Sequence, residues 1–150
     1  MTKFGALDLA IGVGGKIEKK EVLSAVENLR LLGSSHIRKL TDHDFTEGGY
    51  GWKSECNGEY HEGAERVVAL STRWYNGESM CVKMVLVLSG NGRKVRAKVV
   101  DECDSLGGCD EMHGGQPPCG NNVVAGSDAV WNGLVLDKGL GVVDVTWSMA

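Results

Sequence analysis

From Arg93 to Val100 the chain alternates strictly, with Val95, Ala97 and Val99 apolar and Lys94, Arg96 and Lys98 cationic. Successive side chains of a strand point to opposite faces, so this pattern predicts a half-buried strand with a charged outer face. Cys81 to Leu88 (CVKMVLVL) is β-branched and apolar, and Ser89-Gly90-Asn91-Gly92 supplies a turn between the two segments. Together they predict a β-hairpin. Arg66 to Leu70 (RVVAL) predicts another short strand, followed by Thr72 to Tyr75 and an Asn76-Gly77 turn signal. In VVDVTW, Val143, Val145 and Trp147 share one face and predict a terminal strand. The period changes to a helical one in two places. Val22, Ala25, Val26, Leu29 and Leu32 recur at helical spacing between Lys19 and Leu32, with Gly33 where the helix would stop. Ser127 can cap a short helix whose Ala129, Val130 and Leu134 are apolar, with Trp131 alongside. Residues 1–18 form a Gly-rich lead-in and residues 33–57 a loop.

Composition turns this set of elements into an architecture. The 22 glycines among 150 residues are about twice the usual share of ~7%, as expected for short strands joined by tight turns. At least five strands and two short helices then predict a mainly β protein built as a small barrel. A boundary near Arg38 to Leu40 separates an N-terminal extension, residues 1–38, from a barrel domain, residues 39–150.

One long stretch follows neither period. Val99 to Cys119 (VVDECDSLGGCDEMHGGQPPC) holds three of the five cysteines, both prolines and a dense run of acids. A connection of this length without apolar periodicity is either functional or covalently tied down. Cys103, Cys109, His113 and Cys119 are residue types that suit zinc, but the two-residue Cys-x2-Cys corner of structural zinc sites is missing. Asp101, Glu102, Asp104, Asp110 and Glu111 offer carboxylates for acid/base work on a glycan. Acids this dense are more simply explained as groups accepting backbone N–H bonds in turns. Neither His61 nor His113 lies in a cysteine-nucleophile motif, and Gly12 to Lys16 (GVGGK) lacks the spacing of a phosphate loop. A disulfide-tied loop accounts best for the cysteines, although five cannot all pair within one chain.

Charge and hydropathy exclude other classes. A net charge of -4 with a pI near 5.5 leaves no electrostatic footprint for nucleic acid. No apolar run reaches the ~18 residues of a spanning helix, so no membrane partner is expected. After Lys3 the segment FGALDLAIGVGG is weakly apolar, but Asp8 interrupts it and no cleavage-site pattern follows. No signal peptide is read there.

From about Leu40 onward the chain resembles the kiwellins, or ripening-related proteins, of plants. The motifs that carry the resemblance are LTDHDFTEGGYG (40–51), SEC (54–56), VVALSTRWYNG (67–77), VRAKVVDECDS (95–105), GCDEMHGGQPPC (108–119), NNVVAGSDAVW (121–131) and GVVDVTW (141–147). The resemblance implies a six-stranded double-psi β-barrel related to barwin and to the first domain of expansins. It implies secretion into the apoplast, disulfides, no cofactor and no catalysis. The implied role is defence, by binding a secreted pathogen protein; cell-wall polysaccharide is the alternative partner. By analogy with barwin, it implies a Cys56–Cys81 bridge and leaves the pairing of Cys103, Cys109 and Cys119 open. The family begins with a cysteine-rich segment, whereas residues 1–38 here contain no cysteine. One barrel cysteine is therefore expected to lack its partner. At Ala125 the family pattern has an aspartate, associated in related barrels with polysaccharide action, and alanine cannot transfer a proton. Trp74, Tyr75, Asp101, Asp104, Asp110 and His113 are the candidate partner contacts, as aromatic and charged groups on braced loops.

Overall fold

The computed structural model describes residues 38–49 and 51–150, all within one compact unit, residues 36–150. The helix expected at 19–32 lies outside the described residues. Six strands, β1 (Arg38–Asp42), β2 (Val67–Ser71), β3 (Met84–Ser89), β4 (Lys94–Cys103), β5 (Val123–Gly126) and β6 (Val142–Met149), are joined by two short helices, α1 (Thr72–Tyr75) and α2 (Asp128–Gly133). The strands close into a ring in the order β1-β5-β2-β4-β3-β6. β1 with β5 and β2 with β4 run parallel, and the other four pairs antiparallel.

The hairpin expected from the period-2 pattern is β3–β4, with Val85 opposite Ala97 and Val87 opposite Val95, all four buried. β3 begins at Met84 rather than at Cys81, because Val82 turns left-handed at φ 59°. β4 runs past Val100 to Cys103 because β2 pairs alongside it there. Thr72 to Tyr75 is a helical turn that ends at Asn76, φ 51°, whose N–H closes on Thr72 O. The linear pattern marks neither β1 nor β5 as a strand. Each is five residues or fewer, and each is held by pairing with chain far away in sequence.

Inward side chains of the strands, including Leu40, Val68, Leu70, Val99, Val124 and Val145, fill the barrel together with Val130 and Trp131 of α2 and Leu134 just after it. Burying side chains of this size contributes roughly 1.5–3 kcal/mol each. Trp131 is fully buried and its indole N–H donates to Thr41 O at 3.2 Å, so the one polar atom it brings inside is satisfied. Ser127 stands at the N-cap of α2 without capping it. Its hydroxyl donates to Glu65 O (2.6 Å) and accepts from Val67 N (3.3 Å), which ties the start of α2 to the start of β2.

A second, smaller cluster lies on the outer side of the ring: Phe45, Val67, Ala69, Val100 and Ala125. Its existence depends on an irregularity in the β2–β4 register. Val68 is opposite Val99, but Ala69 is opposite Asp101, so Val100 is extra. A one-residue bulge switches which face the following residues occupy. Val99 packs inside the barrel, Val100 packs outside, and Asp101 emerges beside Ala69 instead of continuing the inward row.

Candidate functional site

The outer surface beyond that bulge forms an open groove of about 650 Å³. Thr41 and Asp42 of β1, Val123 and Ala125 of β5, and Asp101 to Cys103 of β4 supply its sheet lining; His43, residues 51–53, Glu55 and the loop after β4 supply the rest. Where β1 and β5 run parallel, their side chains turn outward together, and this is why strands without a local sequence signal provide the lining.

Asp101 is the most perturbed acid in the groove. Its Oδ1 accepts backbone N–H bonds from Glu102 (2.8 Å) and Glu55 (3.1 Å), which favour the anion. Burial outweighs them and holds the pKa up, at about 6. Glu102 is also raised, first by burial and then by the neighbouring Glu55.

The loop after β4 is covalently and electrostatically braced. Cys103 and Cys119 are joined across a sequence separation of 16. The two cysteines at its ends, weighed as metal ligands with Cys109 and His113, are therefore bonded to each other. His113 Nε2 lies 2.9 Å from Asp104 Oδ2, and its Nδ1 bonds Asp110 Oδ1. The two carboxylates hold the imidazole pKa above its ordinary value, Asp110 most strongly. Asp104 is held low mainly by the N–H groups of Gly107 (2.9 Å) and Leu106 (2.8 Å). Asp110 caps the 3₁₀ turn Glu111–His113 by accepting from His113 N at 2.9 Å. Both acids thus have the turn-stabilising role expected of a dense acidic loop. Gly108 packs so closely on the Pro117–Pro118 backbone that an added Cβ would lie 2.6 Å from Pro118 N. Only glycine fits there.

Of the six expected contacts, Asp101, Asp104 and His113 line the groove, and Asp110 braces His113 from the exposed side. Trp74 and Tyr75 are elsewhere. Tyr75 is 1% exposed, so it is a core residue and not a partner contact. Its hydroxyl lies 3.1 Å from Cys81 Sγ and 3.6 Å from Cys56 Sγ, and burial raises its pKa. Trp74 packs edge-to-face on Trp147 at 5.4 Å, with the Arg38 guanidinium 5.8 Å and 5.7 Å from the two rings. The large aromatic that does line the groove is Trp52, 61% exposed, with its indole N–H donating to Glu111 O at 2.9 Å. Met112 beside it is 74% exposed. Neither stands out in the linear pattern. The available signal was a tryptophan among glycines at 48–52, a large apolar group where no core pattern requires one.

Cys56 is bonded to Cys81, the pair implied by the resemblance, and Cys109 is free and exposed. Since residues 1–37 contain no cysteine, a thiol titration of the denatured, unreduced chain is expected to return one thiol. A count of five would contradict both bridges.

The chain matches the family model described as Kiwellin-1 over residues 29–150. It is 61% identical over 118 residues to kiwellin of Actinidia chinensis var. chinensis, covering 78% of this chain and 55% of that protein. Identity is also 61% over 118 residues to ripening-related protein grip22 of Vitis vinifera, covering 78% and 54%. The chain thus spans about half the length of these relatives. Among solved structures, a Clavibacter michiganensis expansin mutant in complex with cellohexaose aligns with a TM-score of 0.56 at 18% identity, covering 76% of this chain and 49% of that one. A Streptomyces papain inhibitor aligns with a TM-score of 0.50 at 26% identity, covering 77% and 94%. The expansin likeness makes the closed six-stranded ring a double-psi β-barrel, and with the family match over four-fifths of its length the chain belongs to the kiwellin family of ripening-related proteins.

Proposed function

We propose that the barrel is a non-enzymatic, exported defence protein that uses its groove to bind and block a protein secreted by a pathogen. The observation that carries this reading is the groove lining: Asp42, Glu55, Asp101, Glu102 and Asp104 against Lys53 and His113, with Trp52 and Met112 exposed beside them. Exposed aromatic groups flanked by charge are the usual anchors of protein interfaces, and an excess of carboxylates selects a partner loop carrying Lys or Arg. The papain-inhibitor neighbour, an inhibitor by its name, supports a blocking role. Two disulfides suit an oxidising compartment outside the cell.

The test is capture of secreted pathogen proteins on the immobilised chain, followed by affinity measurement for the enriched partner. Trp52→Ala is expected to weaken binding at least tenfold, and Asp101→Lys to slow association and reduce its salt dependence. Unchanged affinity in both variants would refute the groove as the binding surface.

A second reading, a cell-wall polysaccharide-binding or glycan-cleaving barrel, draws on one observation: Asp101, with its pKa near 6, retains a proton at mildly acidic pH within the groove. Against it, the lining carries the methyl of Ala125 where a carboxylate would serve as partner acid. Incubation with cellulose, xyloglucan, chitin and peptidoglycan fragments is expected to release no new reducing ends. Release that disappears in Asp101→Asn would establish the glycan reading.

A further inference from the structure

The cations of β4 form an exposed row that the rest of the fold leaves uncompensated. Lys94, Arg96 and Lys98 are all exposed, and charges on a strand often protect an unpaired sheet edge. β3 pairs with β4 from Lys94 to Lys98 and β2 only from Lys98 onward, so edge protection suits Lys94 and Arg96 but not Lys98, which stands between two paired strands. The three cations are not neutralised. Lys39 and Lys138 are held by Asp144 and Asp128, whereas no side-chain hydrogen bond or ion pair involves Lys94, Arg96 or Lys98 among the described residues. Glu65, whose field reaches Lys98, is bound by His61.

Register orders the rest of this face. Leu88, Leu86 and Met84 of β3 stand directly opposite Lys94, Arg96 and Lys98. On the far side of β3, Thr146 of β6 is opposite Leu88 and Ser148 opposite Leu86. Three parallel rows result: cationic, aliphatic and hydroxyl. Along a strand, residues two apart are roughly 7 Å apart, so the cationic row presents regularly spaced charges over about 13 Å. The aliphatic row is partly exposed, with Leu88 37% accessible.

We propose that this outer face of β4, β3 and β6 binds a linear acidic polysaccharide. Carboxylates of successive sugars would pair with the cations, the apolar faces of the rings would lie on Met84, Leu86 and Leu88, and ring hydroxyls would reach Thr146 and Ser148. An extended polyanion can engage several cations in one row, which a single small anion cannot. A nucleic acid would need a larger basic surface than three side chains on a chain of net charge -4. A membrane would need a broader apolar face than this row, in which only Leu88 is exposed and Met84 and Leu86 are half-buried. This face does not include the groove, so the proposal is independent of the groove reading.

Affinity electrophoresis of the whole chain through gels containing polygalacturonate tests it. The chain is expected to be retarded, less so as salt rises, and not retarded by the fully methyl-esterified polymer, which lacks the charge. Arg96→Glu with Lys98→Glu should raise the dissociation constant at least tenfold. The milder Arg96→Gln with Lys98→Gln should raise it several-fold and serves if the first variant does not fold. Trp52→Ala should leave retardation unchanged. No retardation, equal retardation by the esterified polymer, or retardation unaltered in the folded double variants would overturn the proposal. So would binding to phosphatidylserine vesicles without binding to polygalacturonate.

Discussion

Asp101→Asn is expected to make the protein more stable at pH 7, by about 2 kcal/mol, and to change it little at pH 4. In the unfolded chain this carboxyl ionises near its ordinary value of 3.8; in the folded barrel it holds its proton to about 6. Between those values the folded state binds more protons than the unfolded one, so stability is fully present below pH 4, falls as pH rises toward 6, and then levels off. Each pH unit separating the folded and unfolded values corresponds to ~1.4 kcal/mol, so the ionised carboxylate costs the fold up to about 3 kcal/mol at neutral pH. Asparagine removes the charge but keeps an oxygen that can accept from Glu55 N and Glu102 N, bonds weaker than those to a carboxylate. Urea unfolding of both proteins at pH 4 and pH 7 checks the prediction. A variant less stable at pH 7, or a difference that does not vary with pH, would contradict it. A stabilising loss of charge in the groove is what a binding site predicts, because such sites retain groups that the fold alone would discard.

Replacing Cys103 and Cys119 together by serine is expected to cost about 3 kcal/mol, from the chain entropy released when a loop of this length is freed. Against a total of ~5–15 kcal/mol, that is a large fraction. Binding should suffer more than stability, since this bridge anchors the loop carrying Met112 and His113 into the groove. The His113 contacts to Asp104 and Asp110 remain in the variant, but they lie within the freed segment and do not tie it to the barrel. Denaturant midpoints and partner affinity of the double variant are the measurements, with Cys109→Ser as a control expected to alter neither. A loss below about 1 kcal/mol with intact binding would show that the loop is held by other contacts.

Much of the barrel was legible because its longest strands carry a local signal. Val95, Ala97 and Val99 alternate with cations over a segment long enough to define a face, and a glycine-rich turn precedes them. β1 and β5 lacked that signal. Leu40 is the one fully buried apolar residue of β1, and all four residues of β5 are buried, so neither alternates. The cysteine-rich loop is braced as its composition predicts, since acids, prolines and cysteines without apolar periodicity leave few other ways to order a chain. Which cysteines pair could not be derived from spacing, because it depends on where β4 ends and β5 begins. Tyr75 was misplaced because an aromatic in a short polar segment looks exposed. Only the packing of its hydroxyl against the Cys56–Cys81 sulfurs shows why it is inside.

What the linear pattern decided, then, is the hairpin, the short helix at Asp128, the turn chemistry and the mainly β class, all properties of residues within a few positions of one another. The tertiary structure decided the groove. The alternation of β4, extended, would put Asp101 inside the barrel with Val99. A single extra residue at Val100, imposed by the parallel partner β2, turns that carboxylate outward into the groove that Trp52 and the braced loop also line. Such a register shift arises from pairing between segments some thirty residues apart, and local pattern carries no trace of it.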